Sequence, residues 1–160
     1  VRLAASIFQY PCTGKFNLIL AVMNPPLNTT LYQAHKGLEN NRRVLKAGGT
    51  LILLAACQEG IGPAEFYQLL SSCSSPAEVL AKIQQGYLLG YHKAARMADF
   101  MGKHQLVMFT SLEQDTLQKI FIRKAGDLQQ EIDRICSEAK AEPSILINHQ
   151  AGTCIPVLIP

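Results

Sequence analysis

The sequence predicts a layered α/β domain with a mainly parallel sheet flanked by helices, and three observations carry that prediction. Residues 17–23 and 50–56 are short, unbroken apolar runs bounded by turn residues, as strands buried on both faces read. Between and after them lie stretches with a helical apolar period and their own start and stop signals. The links are short, so strand, helix and strand should form right-handed parallel crossovers.

Taken in order, residues 1–15 show no clear period and are broken by Pro11 and Gly14, with a short strand assigned over residues 3–8. After the first apolar run, the NPPLN loop (24–28) continues neither a sheet ladder nor a helix. A helix over 31–46 places Leu31, Ala34, Leu38 and Leu45 on one stripe, with Gly48 and Gly49 as its stop. The second apolar run leads through CQEGIG (57–62) to Pro63, suited to the first position of the next helix. SPAE (75–78) supplies a serine cap, a proline at the first position and a glutamate at the third, for a helix reaching about residue 85. Gly86 and Gly90 interrupt before a helix over Tyr91–Met101. Residues 105–110 read as a third strand, followed by a short helix over 112–119 capped by Ser111. Asp127 caps a helix whose Leu128, Ile132, Ile135, Cys136 and Ala139 make an apolar face, and Pro143 ends it. Residues 144–148 form a fourth strand and 155–159 a weak fifth. The alternation describes one Rossmann-like domain over 1–160.

Composition narrows the function classes. The 160 residues suffice for one domain with a real core, and 48% hydrophobic against 17% charged residues describes a globular chain. A net charge of +3 is spread along the sequence without a basic stripe, which argues against nucleic acid as a partner. The longest apolar run, 51–57, is too short to cross a bilayer, so no membrane partner is expected. Five cysteines with no C-x-x-C pair point to reduced thiols and a cytoplasmic location. The start at Val1 shows neither an initiator Met nor a signal-peptide pattern, which reads as a piece of something longer.

In parallel sheets ligands sit beyond the carboxyl ends of the strands, so 24–36 and 57–62 should lie side by side on that edge. There TLYQAHK (30–36) opens a helix with Gln33 and Lys36 on one face, in the turns where free N–H groups and the helix dipole favour an anion. An amide beside a lysine suits a small carboxylate. The same residues have a second reading: Thr30-x-x-Gln33 is also the spacing of a capping box, and Lys36 an ordinary solvated lysine. His35 points to another face and is read as packing or as support behind Gln33 and Lys36. Glu59 is placed either to pair with Lys36 or to stand solvated. Cys57 reads as a small buried hydrophobe, and Gly60 and Gly62 as backbone devices. His35, His92, His104 and His149 lack ligand spacing, so no metal is expected on this chain alone. No G-x-S-x-G elbow supports hydrolase chemistry.

Two resemblances compete. FNLILAVMNPPL (16–27) and VLKAGGTLIL (44–53) resemble the D/N-P-P-Y/F and LKPGG segments of amino-directed, SAM-dependent N-methyltransferases. That resemblance implies Asn24 and the Pro25 carbonyl holding an amine, but Leu27 stands at the aromatic position and no glycine-rich donor turn precedes residue 17. The second covers more of the chain. LYQAHK (31–36), GGTLIL (48–53), CQEGIG, GYHKA (90–94) and the closing INH…G…PV pattern (147–157) resemble, in order, the carboxy-terminal domain of nickel-dependent lactate racemase-like proteins.

What that resemblance implies is an isomerase: a 2-hydroxy-acid racemase or epimerase working by hydride transfer to a nickel-pincer nucleotide. The cofactor and the catalytic histidines would belong to an amino-terminal domain, the partner of this one, leaving this chain alone inactive and without bound cofactor. By motif match Gln33 and Lys36 orient the carboxylate of a small 2-hydroxy acid, with Tyr91 or His92 also presented to the substrate. The other readings are a methyltransferase fragment and a non-catalytic α/β binding domain.

Overall fold

The computed structural model describes residues 7–86, 90–139 and 141–159. Strands β1 (Gln9–Cys12) and β7 (Ile155–Leu158) pair as a separate parallel ribbon. The main sheet contains β2 (Phe16–Val22), β3 (Leu45–Leu54), β4 (Gln105–Phe109), β5 (Arg123–Lys124) and β6 (Ile145–Asn148), parallel throughout in the order β5-β4-β3-β2-β6. The helices are α1 (Leu31–Asn41), α2 (Ala64–Ser71), α3 (Pro76–Ile83), α4 (Tyr91–Met101), α5 (Gln114–Gln118) and α6 (Leu128–Ser137). The layered, parallel α/β class is therefore as the apolar runs predict.

Alternation along the strands divides the core in two. Ile19, Ala21, Leu51, Leu53, Leu106 and Met108 pack on one side with Leu31, Ala34 and Leu38 of α1, Phe66 of α2 and Met97 of α4. Leu18, Leu20, Ile52 and Val107 face the other way, where Leu128, Ile132 and Ile135 of α6 cover them.

The differences from expectation are local. Residues 3–6 of the strand assigned to 3–8 lie outside the described residues; Ile7 and Phe8 are helical, and pairing begins at Gln9. The α1 helix stops at Asn41, and a 3₁₀ turn, Arg42–Val44, leads straight into β3. Gly48 and Gly49 therefore do not stop the helix; they lie inside β3, where the register slips from Phe16↔Leu45 to Leu18↔Thr50. Pro63 is the cap and not the first residue of α2. Ser111 does not cap α5, because its hydroxyl is drawn to the Ala56 carbonyl, and Glu113 takes the cap position. The fifth strand, expected over 155–159, is β7 and pairs with β1 instead of extending the main sheet. Asp127 and Ser75 cap α6 and α3 through their side chains as the sequence indicates.

Candidate functional site: the mouth of helix α1

Beyond the carboxyl ends of β2 and β3 the two expected loops lie side by side. The N–H of Cys57 donates to the Asn28 carbonyl and that of Glu59 to Thr29, each at 2.8 Å. In return the first two N–H groups of α1, Leu31 and Tyr32, donate to the carbonyls of Gly60 (3.1 Å) and Ile61 (2.9 Å). The third, Gln33, donates to Thr30 Oγ1 at 3.2 Å, and Ala34 donates to the Thr30 carbonyl at 2.9 Å. This corrects one expectation: no backbone donor is left over at this helix start. An anion here must be held by side chains.

The side chains are available. Gln33 and Lys36 are exposed and one turn apart. Half of the capping box forms, since Thr30 accepts from the Gln33 N–H, but the Gln33 amide makes no return bond and has no hydrogen-bond partner among the described residues. Lys36 likewise has no hydrogen bond or ion pair among them, and Glu59 does not pair with it. An uncommitted amide and an uncommitted ammonium thus leave the same helix face, beyond the carboxyl ends of the strands.

Helix α4 brings a third group to this mouth. The ammonium of Lys93 donates to the Tyr32 carbonyl at 2.7 Å and stands 3.7 Å from the centroid of the Tyr32 ring. Burial holds the Lys93 ammonium below the usual lysine range, and the nearby charge of Lys36 lowers it further. The Tyr32 ring meets Phe66 edge-on at 5.4 Å. Gly62, at φ +111°, allows the loop to close over Tyr32, because a Cβ there would sit 2.5 Å from Tyr32 Cβ.

Behind the exposed face His35 is buried, with Nε2 lacking a hydrogen-bond partner and 3.7 Å from Glu39 Oε1. Burial lowers its pKa to about 4; Glu39 opposes this, while Lys93, Arg96 and His92 add to it. His35 is therefore neutral at ordinary pH and serves packing. Glu39 is engaged by Arg42 (3.1 Å) and Arg96 (2.7 Å), which leaves Lys36 and Lys93 without an answering carboxylate among the described residues. Tyr91, half-buried at the start of α4, and the exposed His92 lie on the same turn as Lys93, and His92 is close enough to act on His35.

Elsewhere the sequence candidates settle simply. Cys57 is buried, burial pushes its thiol up despite a hydrogen bond with Thr110, and it is a poor nucleophile. Asn24 turns its amide nitrogen to the His149 carbonyl at 2.7 Å, and half-buried Leu27 packs over Gly152, where a Cβ would lie 2.7 Å from Leu27 Cδ1. That segment ties the loops after β2 and β6 together and offers no stacking ring to a base. Among the described residues no group of three or more His, Cys, Asp or Glu side chains comes together that could hold a metal ion. Nor is any described helix long and apolar enough to cross a membrane.

Sequence reasoning did not single out Tyr32 and Lys93. Both were in view, Tyr32 beside Gln33 and Lys93 in GYHKA, but their 61-residue separation hides the contact that gives them meaning.

Comparison with known proteins places this chain in a family. The lactate racemase C-terminal domain pattern matches residues 19–155. A lactate racemase of Thermoanaerobacterium thermosaccharolyticum is 29% identical over 108 residues, 64% of this chain and 25% of that protein. The lactate racemase of Lactiplantibacillus plantarum is 38% identical over 55 residues, 34% of this chain and 13% of that one. The solved lactate racemase apoprotein of T. thermosaccharolyticum has the same fold, with a TM-score of 0.88 at 22% identity, over 98% of this chain and 39% of that one. A Thermotoga maritima protein is more distant, at TM-score 0.68 and 13% identity. The chain thus spans at most a quarter of the curated relatives it matches. With the family pattern covering all but its two ends, this chain belongs to the lactate racemase C-terminal domain family.

Proposed function

We propose that this domain is the carboxy-terminal half of a longer 2-hydroxy-acid racemase or epimerase of the lactate type, in which it closes a cleft with an amino-terminal domain and orients the substrate carboxylate. One observation carries the reading: Gln33 and Lys36 leave one exposed face at the mouth of α1 with no partner of their own, while the neighbouring acid, Glu39, is taken by arginines. Lysines near a helix start oppose the helix dipole, so they do not serve the helix itself. A cation and an amide donor at this spacing fit the two oxygens of a carboxylate.

Racemisation at a carbinol carbon requires the rest of the substrate to stay fixed while that carbon flattens and is approached from the opposite side. Lys36 supplies the charge that holds the carboxylate, and the Gln33 amide fixes its rotation. Neither group gains or loses a proton in that role. Tyr91 or His92, on the facing turn of α4, contacts the remainder of the hydroxy acid. The nickel-pincer nucleotide implied by the resemblance supplies a hydride acceptor when bound. On this reading the amino-terminal domain holds that cofactor, and this domain's part is binding and orientation. Five free thiols suit a reducing, cytoplasmic setting.

The test is made on the full-length, nickel-loaded protein, following proton exchange at the α-carbon of D- and L-2-hydroxy acids. Lys36→Ala is expected to lower kcat/KM at least roughly a hundredfold, about 3 kcal/mol of lost interaction, with the melting temperature almost unchanged. Near-normal turnover in that variant removes Lys36 from the site.

A further inference from the structure

We propose that Lys93 is a positioning residue for the carboxylate-binding pair, gripping the peptide from which Lys36 is hung. The inference rests on the function proposed above and extends it to a residue that does not itself touch the substrate. In an α-helix the carbonyl of residue 32 accepts the N–H of residue 36. That same Tyr32 carbonyl also accepts the Lys93 ammonium at 2.7 Å, so one oxygen joins the first turn of α1, the Lys36 backbone and helix α4.

The Tyr32 ring completes the grip. Loop 57–62 closes on one side of it, where Gly62 leaves no room for a Cβ, and Phe66 of α2 meets it edge-on. Gly90, which starts α4 in the left-handed region at φ +99°, lies close enough that a Cβ there would be 3.9 Å from Tyr32 Cε2. Lys93 covers the ring from 3.7 Å. Tyr32 is thus wedged between the β3 loop, α2 and α4, and the direction in which the next residue, Gln33, projects follows from that wedge. Lys93 has a second effect. Its ammonium also feels the charge of Lys36, so the two cations repel each other across the mouth of α1. Lys93 has no carboxylate partner among the described residues, so the Tyr32 carbonyl and ring are what hold it in place.

The experiment uses full-length, nickel-loaded protein with Lys93→Met, which keeps the apolar stem, and Lys93→Arg, which restores a cation over the ring. Two readouts are taken on the same samples: KM and kcat for a 2-hydroxy acid, and hydrogen exchange of the peptide covering residues 31–37. Lys93→Met is expected to raise KM at least fivefold, to lower kcat by a smaller factor, and to speed exchange across 31–37 more than tenfold; Lys93→Arg recovers most of each. If Lys93→Met does not fold, Lys93→Gln carries the same comparison. Unchanged exchange, or an unchanged KM in an enzyme that Lys36→Ala disables, overturns the positioning role. A fully active Lys36→Ala variant together with faster exchange in Lys93→Met overturns the function proposed above while leaving the grip on Tyr32 standing.

Discussion

At residue 35 an imidazole is buried without a hydrogen-bond partner at Nε2, and its titration is written into the stability of the fold. Its pKa falls from 6.5 to about 4 on folding, chiefly through burial. Between those values the unfolded chain binds the extra proton and the folded chain does not, so stability rises with pH across that interval. The protein should lose on the order of 3 kcal/mol as pH drops from about 6.5 to about 4. His35→Leu is expected to flatten this slope in urea unfolding; a slope equal to that of the parent would assign the effect elsewhere. Asp99 and Glu131, whose carboxyls are held below their ordinary range, lose their stabilisation at still lower pH. The shared exposed face of Gln33 and Lys36 and the inward turn of His35 were legible in the spacing of one helix, because a single periodicity places them. Lys93 was not, since its role depends on where a second helix crosses the first. The occupied N–H groups at the start of α1 were hidden for the same reason: Gly60 and Ile61 reach them from another loop.

At the scale of elements, strand positions and helix caps were read well wherever the signal was local, as at Ser75 and Asp127. Errors arose where one local signal had two possible uses. Gly48 and Gly49 have the chemistry of a helix stop, yet they serve a bulge inside β3, and Ser111 has the chemistry of a cap, yet its hydroxyl goes to Ala56. The β1–β7 ribbon was missed because Gln9–Cys12 is mostly exposed, contains a proline and carries no clean alternation. Two glycines with positive φ separate strain from crowding. Gly62→Ala meets both a left-handed backbone and Tyr32, and is expected to cost about 3 kcal/mol in urea unfolding and to disturb the α1 mouth. Gly48→Ala, at φ +71° with open space around it, should cost only about 1 kcal/mol. Equal losses at the two sites would mean that the contact with Tyr32 carries no weight.

Across the whole molecule the sheet is covered unequally. Several helices pack over one face, while α6 supplies the cover of the other among the described residues. Glu131 of α6 is buried and receives hydrogen bonds from Arg123 of β5 and from Arg134. Burial opposes its ionisation most strongly, and the two arginines more than offset that, so the carboxylate stays charged. Glu131→Gln should destabilise the protein by about 2 kcal/mol, less than a fully buried pair because both arginines reach water, with the loss seen in urea unfolding at neutral pH. The order of the strands has a consequence for synthesis. β2 lies between β3 and β6, and the Asn17–Ser144 contacts at the start of its pairing with β6 span 127 residues. In synthesis β2 and β3 therefore emerge well before β6, and in the interval β2 offers a bare parallel edge to any chaperone or sister polypeptide within reach.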